Sequence, residues 1–356
     1  MDTNIEITNI YKHFRLFDSK KPSKKMKNHK NNTKIVNYDF YSINEAKISE
    51  KIKKIPYYSN HFIIFEDYDF VNIGQLNDTF IEKLELTTEK KYLLFTYKND
   101  VLVAFDDFLF ALFEPRLFVH NIIESFSYLL NSLIQLNDSG ICFFNLSPQN
   151  IVFNTSCGEK PQLMDFQLSL IISTLNEEYI TKIIKNRNDY THKPLETHVL
   201  FYLIQNNIST ISYSFIEEIC HVFTKNLTVL ELFSEKYRES YKATAIESLK
   251  KYVNKPKSDV ILDILSKHDT WDVYSLSVLY LYIFGHVSKF FSLKTTFISK
   301  IAMELSKNIH PDPAKRNSLQ NLLDNYNNLL LSEKNWGFVT KMEREMMPQL
   351  FDTLGL

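Results

Sequence analysis

Residues 141–154 read ICFFNLSPQNIVFN, and residues 163–170 read LMDFQLSL. Apolar and β-branched residues follow Asn150 and precede Asp165, which predicts two short strands joined by a glycine-containing turn. Asn145 and Asn150 stand before the first strand, and Asp165 stands after the second. The pattern therefore predicts a loop that holds polar groups above a strand pair.

The segments on either side divide the chain into a strand-rich part and a helix-rich part. Apolar residues at helical spacing predict a helix over 44–55, and aromatic and β-branched runs predict strands within 60–73 and 90–100. One long helix is expected over 115–140, because this stretch begins with proline, ends at glycine and carries an apolar stripe. From about residue 170 the pattern is largely helical, so we expect an α+β fold with two lobes.

Composition and charge are those of an ordinary globular protein. Of the 356 residues, 44% are hydrophobic and 23% are charged, and the formal net charge is -1. A nearly neutral chain has no global attraction for nucleic acid or anionic membrane, so neither is an expected partner. The basic stretch at 20–34 is interpreted as a surface loop.

Three features indicate an intracellular and most simply cytoplasmic protein. The N-terminal sequence lacks the basic segment and apolar core of a signal peptide. The most apolar helical stretch, 273–287, is too short to span a bilayer. The cysteines are odd in number and lack metal-ligand or disulfide spacing, which favours a reducing compartment. They are Cys142, Cys157 and Cys220.

The stretch quoted first resembles a known family. Residues 143–152, FFNLSPQNIV, resemble the protein-kinase catalytic loop H-R-D-L-K-P-x-N, and Asp165-Phe166-Gln167 falls where D-F-G is expected. Four further pieces follow the family order along the chain. They are Glu45 in a helix resembling αC, residues 192–196 (HKPLE) resembling A-P-E, Asp272 at the start of a buried helix, and Arg316 within 310–323.

This resemblance to the protein kinase superfamily covers about residues 35–330 and implies a bilobal fold. We expect a small strand-rich N-lobe over 35–98 and a larger helical C-lobe over 99–330. An unusually long connection at about 200–265 is interpreted as a helical insertion, either a partner surface or packing. Residues 1–34 would form an N-terminal segment with a basic loop, and 331–356 a C-terminal tail.

The resemblance also implies roles for single residues. Asn150 and Asp165 would bind Mg²⁺ through hard oxygen donors, next to ATP. Glu45 would pair with a strand lysine, either Lys27 or Lys34, and this choice stays open. The remaining expectations are structural: Phe143 stacks on Phe166, Asp272 accepts backbone amides of the catalytic loop, and Glu196 forms a buried pair with Arg316.

The sequence departs from the family where the chemistry is carried out. Asn145 stands at the position of the catalytic aspartate, and a neutral amide cannot act as a base. The first glycine of the chain is Gly74, so no glycine-rich phosphate loop precedes Glu45. Ser147 replaces the loop lysine, Gln167 replaces the D-F-G glycine, and Phe144 replaces the arginine that pairs with a phosphorylated segment.

The resemblance and these departures together imply a serine/threonine-kinase-like protein that binds ATP and Mg²⁺ but is catalytically impaired, as pseudokinases are. Two alternatives stay open: an active atypical serine/threonine kinase, and a noncatalytic scaffold that binds a partner protein without nucleotide. A small-molecule phosphotransferase of the aminoglycoside or choline kinase type is disfavoured by Glu196 and Arg316. The expected partner is a protein substrate or another protein, and the composition suits a protein of a large DNA virus.

Overall fold

A three-stranded antiparallel sheet and one helix form the first part of the chain in the computed structural model. The strands are β1 (Asn32–Asn37), β2 (Asp67–Phe70) and β3 (Tyr92–Tyr97), in the spatial order β1-β3-β2. Helix α1 (Phe40–Ile52) follows β1 directly. The structure describes residues 32–71, 73, 81–82, 86–98, 100–185, 192–292, 296–332 and 342–354.

Helix α1 begins with a capping box. The Asp39 carboxylate accepts the backbone N–H of Ser42 at 3.0 Å, and the Ser42 hydroxyl accepts the backbone N–H of Asp39 at 3.1 Å. These two bonds satisfy N–H groups that have no partner inside a helix. The helix therefore starts at Phe40, four residues before the predicted start. Apolar spacing misses this first turn because the residues that cap it are polar.

Two small sheets follow, and residues 141–171 contribute strands to both of them. One contains β4 (Leu102–Ala104), β6 (Ile151–Asn154) and β7 (Lys160–Leu163), all antiparallel. The other pairs β5 (Ile141–Cys142) with β8 (Leu170–Ile171). The predicted pair of strands around the turn is confirmed, since β6 and β7 form a hairpin.

Helices make up most of the remaining chain, as predicted. The predicted long helix is confirmed as α3 (Pro115–Asp138), which ends before Gly140 with its φ of +72°. The other helices are α2 (Phe105–Phe110), α4 (Glu177–Ile184), α5 (Leu195–Gln205), α6 (Tyr213–Asn226), α7 (Glu235–Leu249), α8 (Lys257–Leu265), α9 (Trp271–Phe290), α10 (Phe297–Asn308), α11 (Leu319–Ser332) and α12 (Met347–Leu354). The fold is thus mixed α+β and mainly helical. Helices α5 to α8 cover the stretch interpreted as an insertion.

The main hydrophobic core lies among these helices. Helix α9 runs through it and is buried over most of its length, from Trp271 to Val287. The first sheet has a separate small cluster, in which Phe65 stacks on Phe95 with ring centroids 4.2 Å apart. Helix α1 contributes to both: Ala46 belongs to the small cluster, whereas Ile48 belongs to the main core.

Helix α12 packs on the main hydrophobic core. In α12, Phe351 contacts the rings of Phe110, Phe113 and Phe118 at centroid distances of 5.2, 5.6 and 5.5 Å. The Tyr282 hydroxyl donates a hydrogen bond to the backbone oxygen of Leu354 at 2.9 Å. Among the described residues, no helix combines the length and apolarity needed to cross a membrane.

Candidate functional site

Asn150 and Asp165 lie at the same end of the β6–β7 hairpin. Ile151 pairs with Leu163 in the ladder, and one step further the Met164 N–H donates to the backbone oxygen of Asn150 at 2.9 Å. Asn150 therefore stands immediately before one strand and Asp165 immediately after the hydrogen-bonded end of its neighbour. The backbones of the two residues that the sequence predicted to share a site therefore lie at the same end of the hairpin.

The loop that carries Asn145 begins with a strained three-residue turn. The Asn145 N–H donates to the backbone oxygen of Phe143 at 2.7 Å, and Phe144 at the centre has a φ of +60°. A turn of this kind at a bulky residue is rare and persists only where the surrounding structure fixes it. Such strain is found most often at functional sites.

Asp272 and Lys193 hold the backbone of this turn in place through hydrogen bonds. The Asp272 carboxylate accepts the backbone N–H groups of Phe143 and Phe144 at 2.7 and 2.8 Å, which confirms the contacts expected for it. The Lys193 ammonium donates to the backbone oxygen of Phe144 at 2.5 Å and lies 4.1 Å from the centroid of its ring. Ser169 donates to the backbone oxygen of Phe143 at 3.0 Å. All four backbone polar groups of Phe143 and Phe144 are thereby satisfied.

Above the turn, the side-chain oxygen of Asn150 accepts two hydrogen bonds. The Ser147 hydroxyl donates to Asn150 Oδ1 at 2.5 Å, and Asn145 Nδ2 donates to the same atom at 3.4 Å. An amide oxygen has two lone pairs, and both are directed to these donors. A cation that binds Asn150 Oδ1 must displace at least one of them.

Asp165 has a conformation that few non-glycine residues adopt. Its φ and ψ are +63° and +72°, in the left-handed region. Its Oδ2 accepts a hydrogen bond from Gln167 Nε2 at 3.1 Å. Its Oδ1 is buried and has no hydrogen-bond partner within the described part of the chain. A buried carboxylate oxygen without a partner calls for an explanation, and a bound cation or donor is one.

Two ionisable side chains, Glu45 and Lys34, lie near this carboxylate. Glu45 on α1 is 6% exposed, and its pKa is raised to about 7, mainly because burial disfavours the charged form. The positive charge of Lys34 on β1 lowers that pKa, whereas the negative charge of Asp165 raises it further. Of the two lysines proposed for this position, Lys34 neighbours Glu45, and Lys27 lies outside the described residues.

An aromatic column runs behind the site. The expected contact between Phe143 and Phe166 is present, but the rings meet edge to face, with centroids 5.3 Å apart, and are not stacked. Phe62 contacts Phe166 at 6.0 Å, also edge to face. Because Phe62 bridges to Leu163 at the end of β7, the column joins the turn, the hairpin and the chain that follows α1.

The predicted buried ion pair is confirmed further from the site. Arg316 donates to both carboxylate oxygens of Glu196, at 2.7 and 2.9 Å, and both side chains are essentially unexposed. The Trp271 indole N–H donates to Glu196 at 3.1 Å. Trp271 immediately precedes Asp272 on α9, so this pair supports the helix end that holds the strained turn.

Sequence reasoning missed three residues that shape the site. Asn44 and Tyr179 link α1 to the chain after Asp165, and Lys193 links the segment before α5 to Phe144. In the sequence, Lys193 stands out only as part of the stretch that resembles A-P-E, and Asn44 only as the first residue of the predicted helix 44–55. Nothing in their local sequence indicates the contacts, because the partners lie from 49 to 135 residues away.

The donor set fits a magnesium ion held jointly with phosphate. Asp165 and Asn150 supply hard oxygens, and the orphaned Asp165 Oδ1 is the stronger candidate ligand. No group of three or more His, Cys, Asp or Glu side chains suited to a metal occurs among the described residues. A cation here would therefore need phosphate oxygens or water to complete its shell, as Mg²⁺ commonly does.

Comparison with known proteins adds no family assignment. No protein-family model matches this chain, and no curated protein matches it.

Proposed function

We propose that this chain is a protein-kinase-like protein that binds ATP and Mg²⁺ and transfers phosphate poorly. The observation that carries the proposal is the convergence of Lys34, Glu45 and Asp165 at the hairpin end that also holds Asn150. Phosphoryl transfer needs a lysine for the phosphates, an acidic partner that positions it, and oxygen ligands for the metal. The three groups stand on β1, on α1 and after β7, in the order that the kinase resemblance requires.

The proposal includes two lobes that meet at this site. The first sheet has its own small hydrophobic cluster around Phe65 and Phe95, distinct from the main helical core. Helix α1 bridges the two clusters and carries Glu45. Nucleotide would then bind between the sheet and the β6–β7 hairpin.

Impaired transfer follows from the chemistry of Asn145. Its amide cannot accept a proton from a substrate hydroxyl, and its Nδ2 instead donates to Asn150 Oδ1. General-base catalysis contributes about 10²–10⁴-fold in enzymes that use it, while positioning and charge neutralisation supply much of the rest in phosphoryl transfer. We therefore expect slow transfer to protein serine or threonine in place of full activity.

Thermal denaturation with ATP tests nucleotide binding. ATP with Mg²⁺ should raise the unfolding temperature, because a ligand at 100 times its Kd stabilises a protein by about 2.7 kcal/mol. Asp165→Ala should abolish the shift, and Asp324→Ala on the exposed side of α11 should leave it unchanged. No shift at millimolar ATP in the wild type would contradict the proposal and favour a scaffold.

Asn145→Asp tests the assignment of the missing base. If the lost carboxylate limits the reaction, the variant should transfer radiolabelled phosphate from ATP to a generic protein substrate at least about 10²-fold faster. The matched control is Asn131→Asp, since Asn131 is half-buried on α3 and bonds only within that helix in the contacts observed. Equal transfer rates for wild type and Asn145→Asp would show that another step limits turnover.

A further inference from the structure

We propose that Asn44 and Tyr179 form a clamp that holds Glu45 beside Asp165 before any ligand binds. The clamp would make them positioning residues for nucleotide, and this part of the inference rests on the proposed function. Asn44 directly precedes Glu45 on α1. The residues it contacts, Gln167 and Ser169, begin two positions after Asp165.

Asn44 is buried and all of its side-chain hydrogen-bonding groups contribute to the clamp. It is 3% exposed. Its Nδ2 donates to the backbone oxygens of Gln167 and Ser169, at 3.0 and 2.9 Å. Its Oδ1 accepts the hydroxyl proton of Tyr179 at 2.6 Å. A carboxamide offers two donor protons and one acceptor oxygen, so a single side chain ties α1 to two separate places in the chain.

Tyr179 completes the link from the other side. Besides donating to Asn44, its hydroxyl lies 3.3 Å from the backbone oxygen of Ser169 and accepts the backbone N–H of Ile171 at 3.3 Å. Burial raises the pKa of this phenol, so its proton stays available for donation across the physiological range. The contacts join α1, the stretch after Asp165 and helix α4.

Helix α4 is held against α1 by neighbouring contacts as well. The Tyr41 hydroxyl donates to the backbone oxygen of Lys182 at 3.2 Å, and the ring of Phe40 meets that of Tyr179 at 5.9 Å, edge to face. The first turn of α1 therefore packs against α4, and Asn44, further along α1, contacts both Tyr179 of α4 and the chain after Asp165.

The clamp has a consequence for the charges of the site. Holding two acidic side chains close together is unfavourable, and the negative charge of Asp165 raises the pKa of Glu45. Three hydrogen bonds of the Asn44 side chain, one buried and two part-buried, keep α1 and the chain after Asp165 in this arrangement. A cation or a ligand with its cation would relieve the repulsion, so the clamp would prepare the site for binding without a covalent modification.

Hydrogen exchange of the full-length protein tests the clamp itself. Tyr179→Phe removes only the hydroxyl, and the Ile171 amide loses its acceptor. We expect exchange at Ile171 and in peptides covering 165–175 and 40–47 to become about tenfold faster, as loss of a hydrogen bond worth about 1.4 kcal/mol gives. Tyr282→Phe is the matched control, because its hydroxyl on α9 bonds to the backbone oxygen of Leu354 at the end of α12 and to no residue of the clamp in the contacts observed. Unchanged exchange in Tyr179→Phe would overturn the clamp.

Calorimetric titration with ATP and Mg²⁺ tests the positioning role. Tyr179→Phe and Asn44→Ala should weaken ATP binding about five- to tenfold, and Tyr282→Phe should bind as the wild type does. Faster exchange with an unchanged Kd would overturn the positioning role. A wild type that binds no ATP would contradict the proposed function, and the exchange data would still decide whether the clamp exists.

Discussion

Arg316 and Glu45 are both charged side chains buried in the fold, and their surroundings differ. Arg316 has five N–H donors, and its five hydrogen bonds go to Glu196 twice and to Thr270, His310 and Pro311. Glu45 is also buried, but among the described residues the charge of Lys34 alone opposes the rise of its pKa, and Asp165 adds to that rise.

The difference separates a structural region from a candidate binding site. A buried charge whose hydrogen-bonding groups all have protein partners does not require a bound ligand, so the surroundings of Arg316 are explained by structure alone. A buried acid with a strongly shifted pKa, next to a second acid with an orphaned oxygen, is an arrangement that a ligand would complete. The Arg316 guanidinium thus has a full set of hydrogen-bond partners, whereas the site beside Glu45 holds a buried carboxylate oxygen without one.

The largest expected effect comes from the Arg316 region. Arg316→Met leaves the Glu196 carboxylate buried without its cation, which typically costs about 3–5 kcal/mol of unfolding free energy. Urea denaturation followed by circular dichroism measures this. Lys250→Met, which breaks a surface pair with Glu247, should leave the midpoint unchanged. If Arg316→Met unfolds at the wild-type midpoint, the buried Glu196–Arg316 pair does not stabilise the fold as we expect.

A smaller and pH-dependent effect is expected at Glu45. Its pKa is about 7 in the folded protein against 4.5 for the ordinary group, so the folded state holds the proton more tightly. The stability that this proton contributes is complete below pH 4.5 and is lost as the pH rises through 7. Between pH 5 and 8, wild type should therefore lose on the order of 3 kcal/mol relative to Glu45→Gln.

Urea denaturation at several pH values measures this difference. Glu217→Gln, at an exposed position of α6, is the control and should follow the wild-type curve. Parallel curves for wild type and Glu45→Gln would mean that Glu45 is as well compensated as Arg316, and the contrast between the two regions would disappear.

The smallest effect is expected at Ser147, which donates to the oxygen that a cation would need. Ser147→Ala frees one lone pair of Asn150 Oδ1, and a hydrogen bond is worth about 1 kcal/mol net. Mg²⁺ should then strengthen ATP binding about fivefold more in the variant than in the wild type, measured by titration with and without the metal. Ser288→Ala, at an exposed position of α9, is the control. An unchanged Mg²⁺ effect would show that Ser147 does not compete with the cation.

The sequence predicted the structural contacts better than the environment of the site. Asp272 beneath the loop, the Glu196–Arg316 pair and the contact of Phe143 with Phe166 could be expected because each residue belongs to a recognisable local motif. Apolar spacing predicts the start of α1 four residues late, and the sequence does not decide whether Lys27 or Lys34 lies beside Glu45. Spacing along the chain does not determine which lysine ends near a given acid.

Local sequence is enough to predict the hairpin, the long helix, the helical second half and a neutral amide, Asn145, at the position where the kinase resemblance implies an aspartate. These features depend on local periodicity, turn residues and side-chain chemistry, which can be read directly from neighbouring residues in the sequence. The raised pKa of Glu45, the two donors on Asn150 Oδ1 and the Asn44–Tyr179 link arise only when the chain is folded. Burial, charge proximity and hydrogen-bond saturation depend on side chains brought together from distant positions, so no local pattern encodes them.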